Sequence, residues 1–330
     1  ATSDPKSSGT ICIFDALDEC RSRDRERLIE KLNTYYKPNN SSTEKGWLKF
    51  LVTSRSYDEI RKGFQTVTNR FPHIHLRGEE ENDQIHKEIS LVVKIRVKEL
   101  ADQLTLSDET RLRVERQLLQ MKHRTYLWLY LAIDDIYTTF KYSLRRNETP
   151  IELIPSSVYE AYKKILNKVP PKRVEYVKKI LYIIVGARRP LTIQEMAMAL
   201  GVATSNNPQT AAKAGLIPGE VKETIPQLCG LFVFINDERV FLIHQTAREF
   251  LIQNIVGKSN CIWHFGPSDV ENIMAEICVR YLLLNDLADS ATKSDPNINI
   301  LLSYSAENWA DHVRKMPKQS NTELDGFLNK

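Results

Sequence analysis

None of the five cysteines, at positions 12, 20, 229, 261 and 278, forms a C-x-x-C spacing, and their number is odd. Neither a secreted disulfide framework nor a structural zinc site is thereby indicated, and a reducing, cytoplasmic compartment fits best. No apolar run approaches the ~20 residues that a membrane-spanning helix needs; the longest, such as Tyr126 to Ile133 and Ile180 to Val185, fall far short. Ala1 to Gly9 is small and polar and lacks the apolar centre of a signal peptide. Charge of one sign is not in excess. The 46 Lys and Arg against 42 Asp and Glu leave a net charge of +4, too small to demand nucleic acid or an anionic membrane as partner. No G-x-S-x-G elbow and no catalytic cysteine environment is present, which removes the common nucleophilic hydrolases.

The 330 residues, 42% hydrophobic and 27% charged, have the composition of a globular protein of two to three domains. Ile11 to Phe14 is a short apolar run of strand-favouring residues ended by Asp15, with a charged helical stretch from Arg21 to Leu32 behind it. Leu48 to Val52 repeats the pattern and ends at Thr53-Ser54-Arg55. Strands joined through a helix are most often parallel, so Asp15 and Arg55 are expected at the same carboxyl edge of one sheet, where open α/β folds bind ligands. His73 to Leu76 reads as a third strand. Beyond it Ile85, Ile89, Val92, Val93, Val97 and Leu100 recur at helical spacing, a second helix contains Leu112, Leu118 and Leu119, and a third, Tyr126 to Phe140, starts with turns apolar all round that predict burial on several sides.

Further helices are expected over Ser157 to Lys168 and Lys172 to Val185. Another opens at the N-cap Thr192, with Gly201 placed as its C-cap glycine. Val221 to Cys229, then Leu231 to Ile235, the turn Asn236-Asp237-Glu238 and Val240 to Ile243 describe helices followed by a two-stranded wing. The fold class is an incomplete α/β parallel sheet followed by a mostly α region with a helical domain, a winged helix and a further helical segment. The expected boundaries are 1–78, 79–152, 153–255 and 256–330.

The segment Phe14-Asp15-Ala16-Leu17-Asp18-Glu19-Cys20 carries the chemistry. Carboxylates at a strand's carboxyl end hold a hydrated Mg²⁺ near phosphates and orient an attacking water; the same acids also suit the first turn of a helix, where they complement its dipole. Arg55, a cation at the end of the neighbouring strand, is positioned to contact a γ-phosphate. With these two features together the sequence resembles the NACHT class of signal-transduction ATPases (STAND, NLR-like), most closely its fungal, nephrocystin-3-like branch. The Walker B segment is Phe14 to Cys20 and the sensor-1 segment Phe50 to Arg55. The likeness continues in Arg124 to Trp128, Ser157 to Tyr162, Arg188 to Thr192 and Leu242 to Leu251.

The resemblance implies a switch. ADP holds the nucleotide-binding and winged-helix domains closed through intramolecular contacts, and exchange for ATP opens the protein and lets it self-oligomerise in signal transduction. It assigns Asp15 to Mg²⁺ through water, Asp18 and Glu19 to the attacking water, Arg55 to the γ-phosphate and His244 to the β-phosphate of ADP. On its own residues His244 reads first as a helix cap, and only the resemblance reverses that order. His73 and His75 lack a third ligand for a metal, and His123 reads as solvated charge. Tyr304 to Ala310 resembles the segment that precedes ankyrin or other repeats in fungal relatives. A C-terminal repeat sensor and an N-terminal effector outside the chain follow from that likeness.

One departure stands out. G-x-x-x-x-G-K-[ST] is absent, since Gly257-Lys258-Ser259 has Ile252 where the first glycine belongs. The chain is therefore expected to be a fragment beginning inside the ATPase domain, without tightly bound nucleotide or ATP hydrolysis of its own. The rival reading is a DNA-binding winged-helix protein with a degenerate α/β domain, suggested by nine basic residues between Lys163 and Arg189 against one acid, Glu175. Val221 to Cys229 carries no set of base-reading residues, so nucleic acid is not the expected partner.

Overall fold

The structure is a computed structural model that describes residues 10–20, 22–36, 48–55, 57–74, 83–121, 125–148, 154–206, 209–252, 261–289 and 299–316. The chain divides into two compact units, residues 1–77 and 78–330.

The first unit runs β1 (Thr10–Phe14), α1 (Ser22–Tyr35), β2 (Leu48–Val52) and α2 (Asp58–Thr68). The strands pair in parallel, with Thr10 opposite Leu48 and Phe14 opposite Val52, as the strand–helix–strand pattern requires. Alternation sends Cys12, Phe14, Phe50 and Val52 to one face, where Phe14 and Phe50 stack with ring centroids 5.9 Å apart. Leu17, Ile29 and Ile60 are the buried centre beneath, joined by Leu28, Val52 and Phe64. Ile11, Ile13 and Leu51, on the opposite face, are exposed. The expected third strand does not form where it is described: His73 and Ile74 are irregular and Ile74 is 86% exposed, while His75 and Leu76 lie outside the described residues. Pro72, with no N–H to donate, disfavours ladder pairing at the start of this run.

The second unit opens with α3 (Asp83–Leu104), α4 (Asp108–Gln120) and α5 (Tyr126–Lys141). Ile89, Val93, Val97 and Leu100 are buried along one side of α3, in the stripe that the helical period predicts, against Val114, Leu118, Trp128, Ala132, Ile136 and Phe140. Ser107 and Thr125 cap α4 and α5, accepting from the backbone N–H groups of Thr110 and Trp128. α5 is buried on more than one side, as its apolar opening turns predict: Trp128, Leu129 and Ala132 face this core, Leu131 and Leu127 a second one, and Tyr126 and Tyr130, a turn apart, share the exposed strip.

The helices α6 (Val158–Asn167), α7 (Val174–Gly186), α8 (Ile193–Thr204), α9 (Ala211–Ala214) and α10 (Pro218–Cys229) lead into the antiparallel hairpin β3 (Val233–Asn236) and β4 (Arg239–Leu242), then α11 (Gln245–Leu251). This is a winged helix. Thr192 and Glu195 form a reciprocal capping box at the start of α8. The wing turns through Asp237 and Glu238 with φ of 45° and 57°, the tight turn whose twist suits a hairpin. It is tied back to the α8 entry by Val240 N–H to Leu191 O and Ile193 N–H to Glu238 O, 3.0 and 2.8 Å. The wing starts later than expected, since Leu231 and Phe232 lie in a 3-10 turn after Gly230.

Gly201 is not a C-cap. The helix continues to Thr204, and a Cβ on Gly201 would stand 1.9 Å from the carbonyl oxygen of Ala214. The glycine is there because backbone of another segment crosses α8 at that point. α12 (Pro267–Leu282), α13 (Asn285–Asp289) and α14 (Leu302–Lys315) complete the unit, sharing with the winged helix one core that includes Tyr162, Ile180, Met196, Phe232, Phe250, Met274 and Tyr281. Among the described residues no helix is long and apolar enough to cross a membrane.

Candidate functional site

The parallel pairing of β1 and β2 sets the acidic segment and Thr53-Ser54-Arg55 side by side at the carboxyl edge. Thr53 continues the ladder, its N–H donating to Phe14 O at 2.9 Å, and Leu17 N–H returns a bond to Thr53 O at 3.0 Å. Between them Ala16 takes a left-handed conformation, φ 53°, ψ 50°, that turns the chain out of the strand. Its N–H donates to Thr53 Oγ1 at 3.0 Å, and the same hydroxyl donates to Asp15 Oδ1. A small residue suits this position, because bulk disfavours positive φ.

Asp18 is turned inward. Its side chain is 4% exposed, Oδ1 accepts from Arg55 N–H at 3.0 Å and from Ser54 Oγ at 3.3 Å, and Oδ2 lies 3.6 Å from Arg55 Nε. Arg25 on α1 donates to the backbone oxygen of Asp18 at 3.4 Å and pairs with Glu59 on α2 at 3.3 Å, which ties the acidic turn to both helices. Asp15 and Glu19 are exposed at the edge. One carboxylate and a hydroxyl suit a hydrated Mg²⁺ carried by a nucleotide's phosphates, since that ion keeps most of its water and takes few protein ligands. Among the described residues no group of three or more His, Cys, Asp or Glu could hold a metal by itself. Sequence reasoning missed Thr53, the residue that fixes Asp15; its signal was the hydroxyl directly after β2.

His244 lies in the second unit as the N-cap of α11. Its Nδ1 accepts from Thr246 N–H at 3.2 Å and lies 3.0 Å from Thr246 Oγ1. An acceptor Nδ1 on a neutral ring leaves the proton on Nε2. Thr246 is 2.9 Å from the hydroxyl of Tyr162, whose pKa is pushed up to about 12, chiefly by burial.

The basic run is largely consumed inside the protein. Lys164 and Lys168 both grip Asp135 of α5, at 2.5 and 2.8 Å. Lys178 pairs with Glu175 at 3.0 Å and Lys179 donates to Ala203 O at 2.7 Å. Arg188 is bound to Glu271 and Asp311, and Arg189 to Glu195. Five of the nine bases therefore hold elements together, Lys178 being paired within its own helix, and on α10 Lys222 is paired with Glu238. Gly257, Lys258 and Ser259 lie outside the described residues.

Comparison with known proteins follows the same division. Residues 1–55 match the family model described as Nephrocystin 3, N-terminal, and so contain β1, β2 and the edge between them. Residues 166–261 match the winged helix domain of GPI inositol-deacylase, and residues 85–148 match a domain of unknown function, DUF7069. The vegetative incompatibility protein HET-E-1 of Podospora anserina is 23% identical over 344 residues, an alignment that takes in 97% of this chain and 24% of that protein. The chain resembles a fungal incompatibility protein along nearly its whole length. It spans about a quarter of that relative, and no solved structure matches it. These likenesses are consistent with a fungal, NACHT-like protein carrying a nephrocystin-3-type N-terminal segment and a winged helix.

Proposed function

We propose that the chain is the regulatory part of a NACHT-type signalling switch, operated in the intact protein by exchange of ADP for ATP with Mg²⁺. The observation that carries this is the locked carboxyl edge, where Asp15 is held by Thr53 and Asp18 by the backbone and side chain of Arg55. A purely capping role would not need the acids fastened to the neighbouring strand.

In this reading Asp15 takes the water shell of Mg²⁺, an ion that would neutralise phosphate charge when bound. Glu19 orients the attacking water. Asp18 belongs to the same pair and acts by holding Arg55 in line for a γ-phosphate, because a guanidinium already aligned by a carboxylate loses less freedom on binding. His244 presents Nε2–H to the β-phosphate of ADP. Opening would expose surfaces for self-association, with sensor and effector segments outside this chain.

Nucleotide titration of the intact protein tests the reading. Asp15→Asn should abolish the Mg²⁺ dependence of ATP binding, and Arg55→Ala should weaken ATP more than ADP. Unchanged affinities in both variants would refute it.

A further inference from the structure

The Thr53 hydroxyl has a single hydrogen, and its neighbours decide where it goes. Ala16 N–H donates to the hydroxyl oxygen at 3.0 Å, so the hydrogen turns to the remaining partner, Asp15 Oδ1. The register of β1 and β2 holds both bonds in place. Thr53 N–H donates to Phe14 O at 2.9 Å and Thr53 O accepts from Leu17 N–H at 3.0 Å, which fixes the threonine backbone on either side of its side chain. Asp15 is an exposed residue, and among the described residues its second oxygen, Oδ2, has no partner.

The other oxygens of the acidic turn are engaged. Asp18, its side chain 4% exposed, is taken up by Arg55 and Ser54. The carbonyl oxygens of Ala16, Leu17 and Asp18 accept from Glu19 N–H, Cys20 N–H and Arg25 Nη1, at 2.9, 3.2 and 3.4 Å. The edge therefore presents few oxygens to a cation, and from Asp15 it presents one instead of two. Divalent ions differ in how they meet such a site. Mg²⁺ keeps several waters in a tight octahedron and is satisfied by one or two carboxylates together with phosphates. Ca²⁺ takes about six to eight oxygens, drawing on carbonyls and on carboxylates that give both of theirs.

We propose that Thr53 sets the cation preference of this edge: by occupying Asp15 Oδ1, its hydroxyl confines the carboxylate to a one-oxygen contact with the ion or its water, which suits Mg²⁺ carried by a nucleotide and handicaps Ca²⁺. Thr53 is a positioning residue, acting through Asp15. The proposal rests on the nucleotide reading and adds to it the class of ion that the edge accepts. Valine has nearly the shape of threonine, the same strand preference and both backbone bonds, but no hydrogen to give. In Thr53→Val, Oδ1 is released and can join Oδ2 on the larger ion. Serine keeps the hydroxyl.

The test titrates the intact protein with ATP in Mg²⁺, in Ca²⁺ and in EDTA, for wild type, Thr53→Val and Thr53→Ser, with Thr53→Ala in place of valine where the branched side chain is not tolerated. Wild type should bind ATP more tightly with Mg²⁺ than with Ca²⁺. In Thr53→Val that preference should shrink at least about tenfold, the factor expected for losing one hydrogen bond to a charged group, and in Thr53→Ser it should return. Amide exchange of the 330-residue chain gives a readout without nucleotide. The Ala16 amide should exchange faster in Thr53→Val and at the wild-type rate in Thr53→Ser, while the ladder amides of β1 and β2 keep their protection. Equal weakening with both ions would show that the hydroxyl merely props the turn. A preference kept in Thr53→Val, an unchanged Ala16 amide, or no rescue by serine would show that Asp15 does not take its orientation from Thr53. Each of these results overturns the proposal and leaves Mg²⁺-dependent nucleotide binding standing. A wild type that binds ATP equally in Mg²⁺ and in EDTA refutes the nucleotide reading itself, and the proposal falls with it.

Discussion

Replacing Gly201 with alanine separates two meanings of that glycine. A C-cap glycine at positive φ would cost about 1 kcal/mol on substitution, and an ordinary helix-interior glycine would gain up to about 1 kcal/mol. Gly201 is neither. An added methyl would lie 1.9 Å from the carbonyl oxygen of Ala214, 2.9 Å from its carbon and 3.3 Å from Leu216 N. Relief requires the crossing backbone to retreat by more than about 1 Å, since non-bonded carbon contacts settle near 3.5 Å. That backbone is tethered, because Asp286 accepts from Ala211 N–H at 2.7 Å and Asn285 N–H donates to Gln209 O at 2.9 Å. Ala211 and Ala214 are themselves buried and would move with it. Overpacking of this kind costs about 1–3 kcal/mol or more, which the gain in helix propensity offsets only in part, so a net loss of about 2 kcal/mol is expected. Urea unfolding measures it, with Gly219→Ala as control, where a Cβ meets nothing within 4 Å. A neutral or stabilised Gly201→Ala would refute the crossing.

Three further outcomes follow from the same contacts. Asp18→Ala strips the Arg55 N–H of its acceptor, an omission worth about 1–3 kcal/mol, and amide exchange in β1 and β2 should accelerate accordingly; unchanged protection would mean that the edge is not locked. Burial raises the Glu195 carboxyl, but hydrogen bonds from Arg189 and Thr192 outweigh it and leave its folded pKa below the ordinary value. Its stabilisation is therefore full above the unfolded pKa of about 4.3 and lost as pH falls through the folded value. Glu195→Gln should cost about 1–2 kcal/mol at pH 7 and flatten the decline below about pH 5, and an equally steep decline would contradict the pairing. In gel shifts the chain should show no salt-sensitive DNA complex, whereas a complex weakening steeply with salt would revive the DNA-binding reading.

Much of the architecture was legible because local pattern and tertiary structure agree. β1 and β2 are short, mostly apolar runs with acids or polar residues after them, Thr192 is followed by Glu195 at capping-box spacing, and the α3 stripe follows the helical period. The failures occur where a distant partner decides. Nothing local tells that backbone crosses Gly201, or that Lys164 and Lys168 answer one carboxylate on α5. His73 and Ile74 look like a strand but are irregular, Ile74 being exposed. At the candidate site the residue types could be read from the sequence, while the inward turn of Asp18 onto Arg55 N–H required the strand pairing. His244 shows the remaining limit of sequence reasoning, because a helix cap and a phosphate contact use the same ring through its two different nitrogens.

The two roles proposed for the His244 ring supply the most direct measurement. The affinities of the intact protein for Mg-ADP and Mg-ATP should be determined by calorimetry for wild type and for His244→Ala and His244→Asn. Asparagine is itself a good helix cap, so it should restore stability lost in the alanine variant, by about 1 kcal/mol, without restoring nucleotide discrimination. The account predicts that both variants weaken ADP more than ATP and shift the protein toward its oligomeric form, because only a ligand with unequal affinity for two states moves their equilibrium. Equal losses for both nucleotides, or full recovery by asparagine, would contradict the switch and leave His244 a cap.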